Sequence, residues 1–262
     1  MAFASVRKSR APQDETKVNE FLQNKNKSIG KVYLYMGIGL AISAIVSIVV
    51  GALFAGWFTN FGRIDWAGEV PDTAIFTYVG ILIASYIIMF IDSLVITHRA
   101  YSDKKSLWVP YILYTILMGV FLSAFLIAGI DFYTLGEAFG ISGLVFVIMG
   151  LIGYYSKSNL NVLGMIAAGA LMCLLLGGAF WFVLWLINPA AFYIYNVIVS
   201  IAVMAFLLIL VAVDTYNIKN ILQNSAGKNM PLYCAFKMYT DFIAIFVRIL
   251  YFLVLIKGSN RK

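Results

Sequence analysis

Five ionisable residues lie inside segments of this chain that are otherwise strongly apolar. Asp214, in "LVAVDTYNIK", directly follows an uncharged run that extends from Ser158 to Val213. Asp241 follows 27 residues later, in "KMYTDFIAIFVRILYF". Ionisable side chains are expensive inside a membrane, and those that occur there mark paths for ions or protons. The other candidates for lining such a path are Lys237, Arg248 and Asp92.

The two aspartates have the spacing of a coupled pair. Asp214 lies near the end of the sixth predicted helix and Asp241 about two turns into the seventh, so their depths match. Lys237, Asp241 and Arg248 are spaced 4 and 7 residues apart and fall on one stripe of a helix. A polar stripe on an apolar helix must face the bundle interior or water. We therefore predict that both carboxylates face each other just below the cytoplasmic surface.

A carboxylate pair of this kind can act as a proton-operated switch. Two carboxylates about 4 Å apart repel by roughly 4 kcal/mol at an effective dielectric near 20. The pair then shares one proton near neutral pH and titrates as a unit. The oxygens of Asp214 and Asp241 are also hard ligands, suited to a transient contact with Ca²⁺.

Each aspartate also has a purely structural interpretation. An aspartate near a helix end can snorkel to the surface or pair with a nearby lysine, and this applies to Asp214 taken alone. Asp92 can pair locally with His98 or Arg99. Two aspartates at matched depth beside a basic stripe favour the functional interpretation.

The elements that carry these residues are predicted to be membrane-spanning helices. The chain has 262 residues, of which 62% are hydrophobic and 12% charged, and its mean hydropathy is +0.91. Soluble domains contain about 25% charged residues. The apolar runs are too long for barrel strands of about 10 residues, and Pro189 in "INPAAF" must break the longest run. The fold class is therefore an all-α integral membrane protein with seven transmembrane helices: Val32–Phe58, Thr73–Ile96, Leu107–Ile130, Ala138–Tyr155, Asn161–Ile187, Phe192–Asn217 and Leu232–Ile256.

Charge predicts the topology. Residues 1–31 form a polar tail that we expect to be disordered and cytoplasmic, and residues 257–262 form a short basic tail. Thirteen Lys and Arg residues fall on the side of the N-terminal tail, against Arg63 alone on the other. The positive-inside rule places the N-terminus in the cytoplasm of a multi-pass membrane protein. Seven full spans would place the C-terminus outside although it ends in "KGSNRK"; the alternative is a last segment that does not fully span. The run at Val32–Phe58 exceeds a signal-peptide core and is expected to remain in the mature protein.

Several function classes are excluded or disfavoured by composition. His98 is the only histidine, and Cys173 and Cys234 have no motif spacing, so we expect no cofactor, no metal cluster and no enzymatic activity. The net charge of +7 reflects topology and contact with anionic lipid. The expected partners are the lipid bilayer and other membrane proteins, with no nucleic acid.

Two motifs resemble those of a known family. "VDTYNIK" and "KMYTDFIAIF" are similar to the paired aspartate motifs of the Bax inhibitor-1 family, also called the transmembrane Bax inhibitor motif family. "EAFGISGLVFVIMGLIGYYSKSNLNVLG" also resembles that family's fourth helix and the following turn. The resemblance covers residues 32–256. It is to a bacterial-type member, which implies a bacterial cell membrane and a bundle whose last helix is central.

The resemblance also implies an activity and site residues. It implies a pH-sensitive Ca²⁺ leak gated by two aspartates and an arginine latch. By position, Asp214 and Asp241 match the aspartate pair, and Arg99 matches the latch. The chain departs from the family pattern at Val213, where a tyrosine is usual, and at Asn159, where an aspartate is usual.

Three functions remain open from the sequence. The favoured one is a pH-gated cation leak. The second is a proton-coupled secondary transporter that uses the same carboxylate pair, and it predicts inverted repeats and broken helices. The third is a regulator that binds other membrane proteins without transporting anything. Arg248 bears on the first, because a fixed positive charge in a cation path would repel Ca²⁺.

Overall fold

The chain is all-helical throughout the part that the structure describes. The computed structural model describes residues 28–54, 72–102, 105–156, 159–187, 189–224 and 227–259. Side chains are not described at 72–75, 175–194, 223–224 and 258–259. The helices are α1 (Ser28–Phe54), α2 (Asp72–Ala100), α3 (Trp108–Ile127), α4 (Phe132–Tyr155), α5 (Asn161–Ile187), α6 (Pro189–Asn224) and α7 (Met230–Ser259).

Six of these helices are long and apolar enough to cross a bilayer. They are α1, α2, α3, α4, α6 and α7. The described part of α5 with side chains, Asn161–Leu174, is a shorter apolar helix. The prediction of an all-α, multi-pass membrane protein is therefore confirmed.

Local chemistry determines where the helices begin and end, and these boundaries differ from the ends of the hydrophobic runs in the sequence. α6 begins at Pro189, whose missing N–H costs nothing at a helix start. α4 begins at Phe132, six residues before the predicted Ala138, because Asp131 caps it. Its carboxylate accepts hydrogen bonds from the Thr134 N–H at 3.0 Å and the Thr134 hydroxyl at 2.7 Å, which lower the pKa of Asp131.

The predicted tails lie mostly outside the described residues. α1 begins at Ser28, so the last four residues of the predicted 1–31 tail are helical, and residues 1–27 lie outside the described part. At the other end, α7 continues to Ser259. Residues 260–262 of the predicted C-terminal tail again lie outside it.

α7 packs against many of its neighbours. It contacts α2, α3, α4 and α6, and the Tyr239 hydroxyl hydrogen-bonds the Ser43 hydroxyl of α1 at 2.5 Å. The Phe242 ring packs edge-on against Phe139 and Phe146 of α4. In the most apolar stretch of each candidate span, 39% of the α7 residues are buried, against 22–33% in the other five. Among the six described spans, α7 is therefore the most enclosed.

α7 packs along α4 in the opposite direction. At its start, the Asn229 side-chain amide donates to the carbonyls of Ser102 and Lys105, both at 2.8 Å, in the connection between α2 and α3. Near its end, the Lys257 ammonium pairs with Glu137 at 2.8 Å, in the first turns of α4. We refer to these as the α2–α3 end and the α3–α4 end of the protein. A helix of 30 residues is about 45 Å long, enough to span a bilayer.

Candidate functional site

The structure brings Asp214 of α6 next to Lys237 of α7. The Lys237 ammonium donates a hydrogen bond to Asp214 Oδ1 at 2.6 Å and forms an ion pair with it. The Asp214 side chain is 11% exposed, whereas the Lys237 side chain is 40% exposed. A charge-assisted hydrogen bond of this length is among the stronger kinds in proteins. It links α6 to α7 close to the α2–α3 end.

Asp241 completes a three-residue cluster. It lies four residues after Lys237 on α7, hence on the same helix face. Its carboxyl interacts electrostatically with that of Asp214, which repels it when both are ionised, and with the Lys237 ammonium, which attracts it. A hydrogen bond between two carboxyl groups requires a proton on one of them, since an ionised carboxylate only accepts. The arrangement can therefore hold one proton and one ammonium between two carboxyl groups.

Close packing on both sides of α6 aims Asp214 at α7. A side chain on Gly153 of α4 would collide with the Ala212 carbonyl. A side chain on Gly164 of α5 would meet Val213 at 2.7 Å. Successive helical residues point about 100° apart, so with the Val213 side chain against α5, Asp214 points to another face of α6, where it meets Lys237 of α7.

A cleft of about 490 Å³ opens beside the cluster, between α5, α6 and α7. It is lined by Asp214 and Lys237, and also by Asn161 and Asn217, which sequence reasoning did not single out. Their amide oxygens are the kind of ligand that Ca²⁺ accepts beside carboxylates. In the described residues, no three His, Cys, Asp or Glu side chains group closely enough to hold a metal ion.

Arg99, the predicted latch, is not joined to the aspartates. The ion pairs among the described residues involve Asp214 with Lys237 and Glu137 with Lys257. Arg99 instead lies near the α2–α3 connection, where its backbone carbonyl accepts from the Ser102 N–H at 3.0 Å. The cation that binds Asp214 is thus supplied by α7 itself. The sequence did indicate this kind of contact, because an aspartate near a helix end, such as Asp214, could be expected to pair with a lysine.

The two other candidate path residues lie apart from the cluster. Asp92 of α2 is 6% exposed, and its Oδ2 has no hydrogen-bond partner among the described residues. Arg248 of α7 donates to the buried Ser200 hydroxyl of α6 at 3.4 Å. Arg248 lies seven residues beyond Asp241, or about 10 Å along the helix. It thus faces α6, as Lys237 does, but nearer the middle of α7.

The comparisons with known proteins agree with the motifs. The model of the family described as "Inhibitor of apoptosis-promoting Bax1" matches residues 25–259, which is nearly the whole chain. No curated protein matches. With its helices, its apolar spans and this match, the chain belongs to the Bax inhibitor-1 family.

Proposed function

We propose that the protein is a pH-sensitive Ca²⁺ leak channel in which the Asp214–Asp241 pair is the proton sensor and gate. The observation that carries the proposal is the cluster of two carboxyl groups and one ammonium between α6 and α7. Groups of this kind are retained in membrane helices where ions or protons move. The proposal involves no catalysed reaction and no cofactor, and Ca²⁺ is the permeant ion.

The proposed gate works by changing how strongly α6 is held to α7. When a carboxyl group of the pair is ionised, it attracts the Lys237 ammonium, and the two helices stay together. When both carboxyl groups carry protons, that attraction is lost and the α2–α3 end can open.

Arg99 is proposed as a second latch on the same pair. Its position at the end of α2 would let it bind the ionised carboxylates and hold α2 against α6 and α7. This role requires the end of α2 to move toward the pair, since Lys237 holds Asp214 in the structure. Removing the Arg99 charge is then expected to favour the open state.

The membrane placement of this gate follows from charge. We propose that seven helices cross the bilayer with α7 at the centre, and that the α2–α3 end is cytoplasmic. The basic residues of the N-terminal tail, the α2–α3 connection and the α6–α7 connection support this orientation. The length of α7 and the Lys257–Glu137 pair support a C-terminus on the outer side.

Flux through purified protein tests the function. The full chain in proteoliposomes should pass Ca²⁺ at a rate that changes with pH between about 5 and 8, the range in which such a pair titrates. Liposomes without protein provide the baseline. If no cation passes at any pH in that range, the leak proposal fails. A proton-coupled transporter or a non-transporting regulator would then be the favoured function.

A further inference from the structure

Asp214 is not free to meet a cation from solution. One of its carboxylate oxygens already accepts a hydrogen bond from the Lys237 ammonium at 2.6 Å. The same ammonium attracts Asp241. A cation entering the site therefore meets a like charge on the oxygen that it would bind.

The Lys237 ammonium also has space to move away from Asp214. Its side chain is 40% exposed, and it lines the cleft that contains Asp214, Asn161 and Asn217. A lysine carries a compact charge on a flexible four-carbon stem, unlike the rigid fork of an arginine. The ammonium can therefore leave Asp214 by swinging into the cleft, without a shift of either helix.

From these contacts we infer that Lys237 is a tethered cation that competes with Ca²⁺ for the Asp214 and Asp241 carboxylates and so sets the Ca²⁺ affinity of the site. The inference rests on the proposed function, because it concerns regulation of the same pair. Bound Ca²⁺ would take the place of the ammonium on Asp214, and the Asn161 and Asn217 amides offer further oxygen ligands. Since both cations cannot occupy one carboxylate oxygen, removing the ammonium should strengthen Ca²⁺ binding.

The test is a Ca²⁺ titration of the purified full chain in detergent by calorimetry, with Ca²⁺ alone as the probe. Lys237→Gln keeps a hydrogen-bond donor for Asp214 but removes the charge. We expect it to bind Ca²⁺ about tenfold more tightly than the wild type or better, because a unit charge within about 4 Å is removed. Lys237→Arg retains the charge and should bind no more tightly than the wild type.

Two further variants serve as controls in case a single substitution causes misfolding. Lys237→Met removes the charge and the donor, and should show the same gain as Lys237→Gln. The double variant Asp214→Asn/Lys237→Gln should lose the gain, which assigns it to the carboxylate. Melting temperatures identify any variant that has not folded.

The outcomes separate this inference from the proposed function. Equal Ca²⁺ affinity in the wild type, Lys237→Gln and Lys237→Arg overturns the inference even if the wild type passes Ca²⁺ in a pH-dependent way. A gain that persists in the double variant also overturns it, because the carboxylate would then not be the site. Absence of flux in proteoliposomes contradicts the leak, while a tenfold gain in the titration would still support competition at the pair.

Discussion

The chemistry at the residue scale comes from placing one ammonium against two carboxyl groups. Asp214 and Asp241 alone would repel each other as ions, and burial would add to that cost. Lys237 offsets part of it, through a 2.6 Å contact with Asp214 and its attraction to Asp241. The cluster is therefore expected to respond as one unit to protons and to cations.

Replacing Arg248 tests whether the cation path follows α7. Its guanidinium faces α6 on the stripe that holds Asp241 and contacts Ser200 at 3.4 Å. If the cation path follows this stripe, a fixed positive charge there repels Ca²⁺. Arg248→Ala should then raise Ca²⁺ flux at every pH without moving the pH midpoint, as measured in proteoliposomes.

Ser200→Ala is the matched control for Arg248. It removes the hydrogen bond but leaves the charge, so flux should stay at the wild-type level. A fall in flux or no change in Arg248→Ala, accompanied by a lower melting temperature, would show that Arg248 anchors packing and does not line the path.

Among the elements, close contact of α6 with α4 and α5 determines which way Asp214 faces. Small residues let membrane helices approach closely. Gly153 has this role against Ala212, two residues before Asp214, and Gly164 has it against Val213. The Lys219 ammonium adds a hydrogen bond to the Tyr154 carbonyl at 2.8 Å, which also joins α6 to α4.

Gly153 gives a prediction about this packing. In Gly153→Ala the new methyl group would collide with the Ala212 backbone, so α4 and α6 must separate. Overpacking of this kind costs about 1–3 kcal/mol in well-packed interiors. We expect a lower melting temperature in detergent and a shifted pH midpoint of flux, because Asp214 moves with α6.

Gly143→Ala, in the same helix, is the control for Gly153. Apart from its two chain neighbours and the nearby backbone of α4, no atom of the described residues lies within 4 Å of where its side chain would be. Alanine there should be neutral or should stabilise α4 by up to about 1 kcal/mol. Equal melting temperatures for both variants would contradict the close α4–α6 contact.

Some helix boundaries and contacts could be predicted from the sequence, and others could not. The break at Pro189 and the helical class were predictable, because a missing donor and long apolar runs act locally. The start of α4 was not predictable from the apolar runs, because the helix begins at the Asp131 cap and includes the charged Glu137. The Lys237–Asp214 contact depends on the rotation of α6, which Gly153 and Gly164 set by packing against it. The sequence of α6 or α7 taken alone does not predict how α6 is rotated about its axis.

For the whole molecule, the asymmetry of charge predicts a single orientation. Cysteines introduced before Lys31 and at Asp103, in a background lacking Cys173 and Cys234, should react with impermeant reagents only from the cytoplasmic side. A cysteine near Glu69 should react only from outside. The reverse pattern would overturn the orientation and move Asp214 and Asp241 to the external face.

The most direct test of the account is the pH profile of Ca²⁺ flux in proteoliposomes for the wild type beside Asp214→Asn and Asp241→Asn. An amide keeps the shape of the carboxyl group but removes its titratable proton. We expect a wild-type flux that changes between about pH 5 and 8 and a flattened profile in each variant. If either variant keeps the wild-type profile and midpoint, the Asp214–Asp241 pair is not the proton sensor.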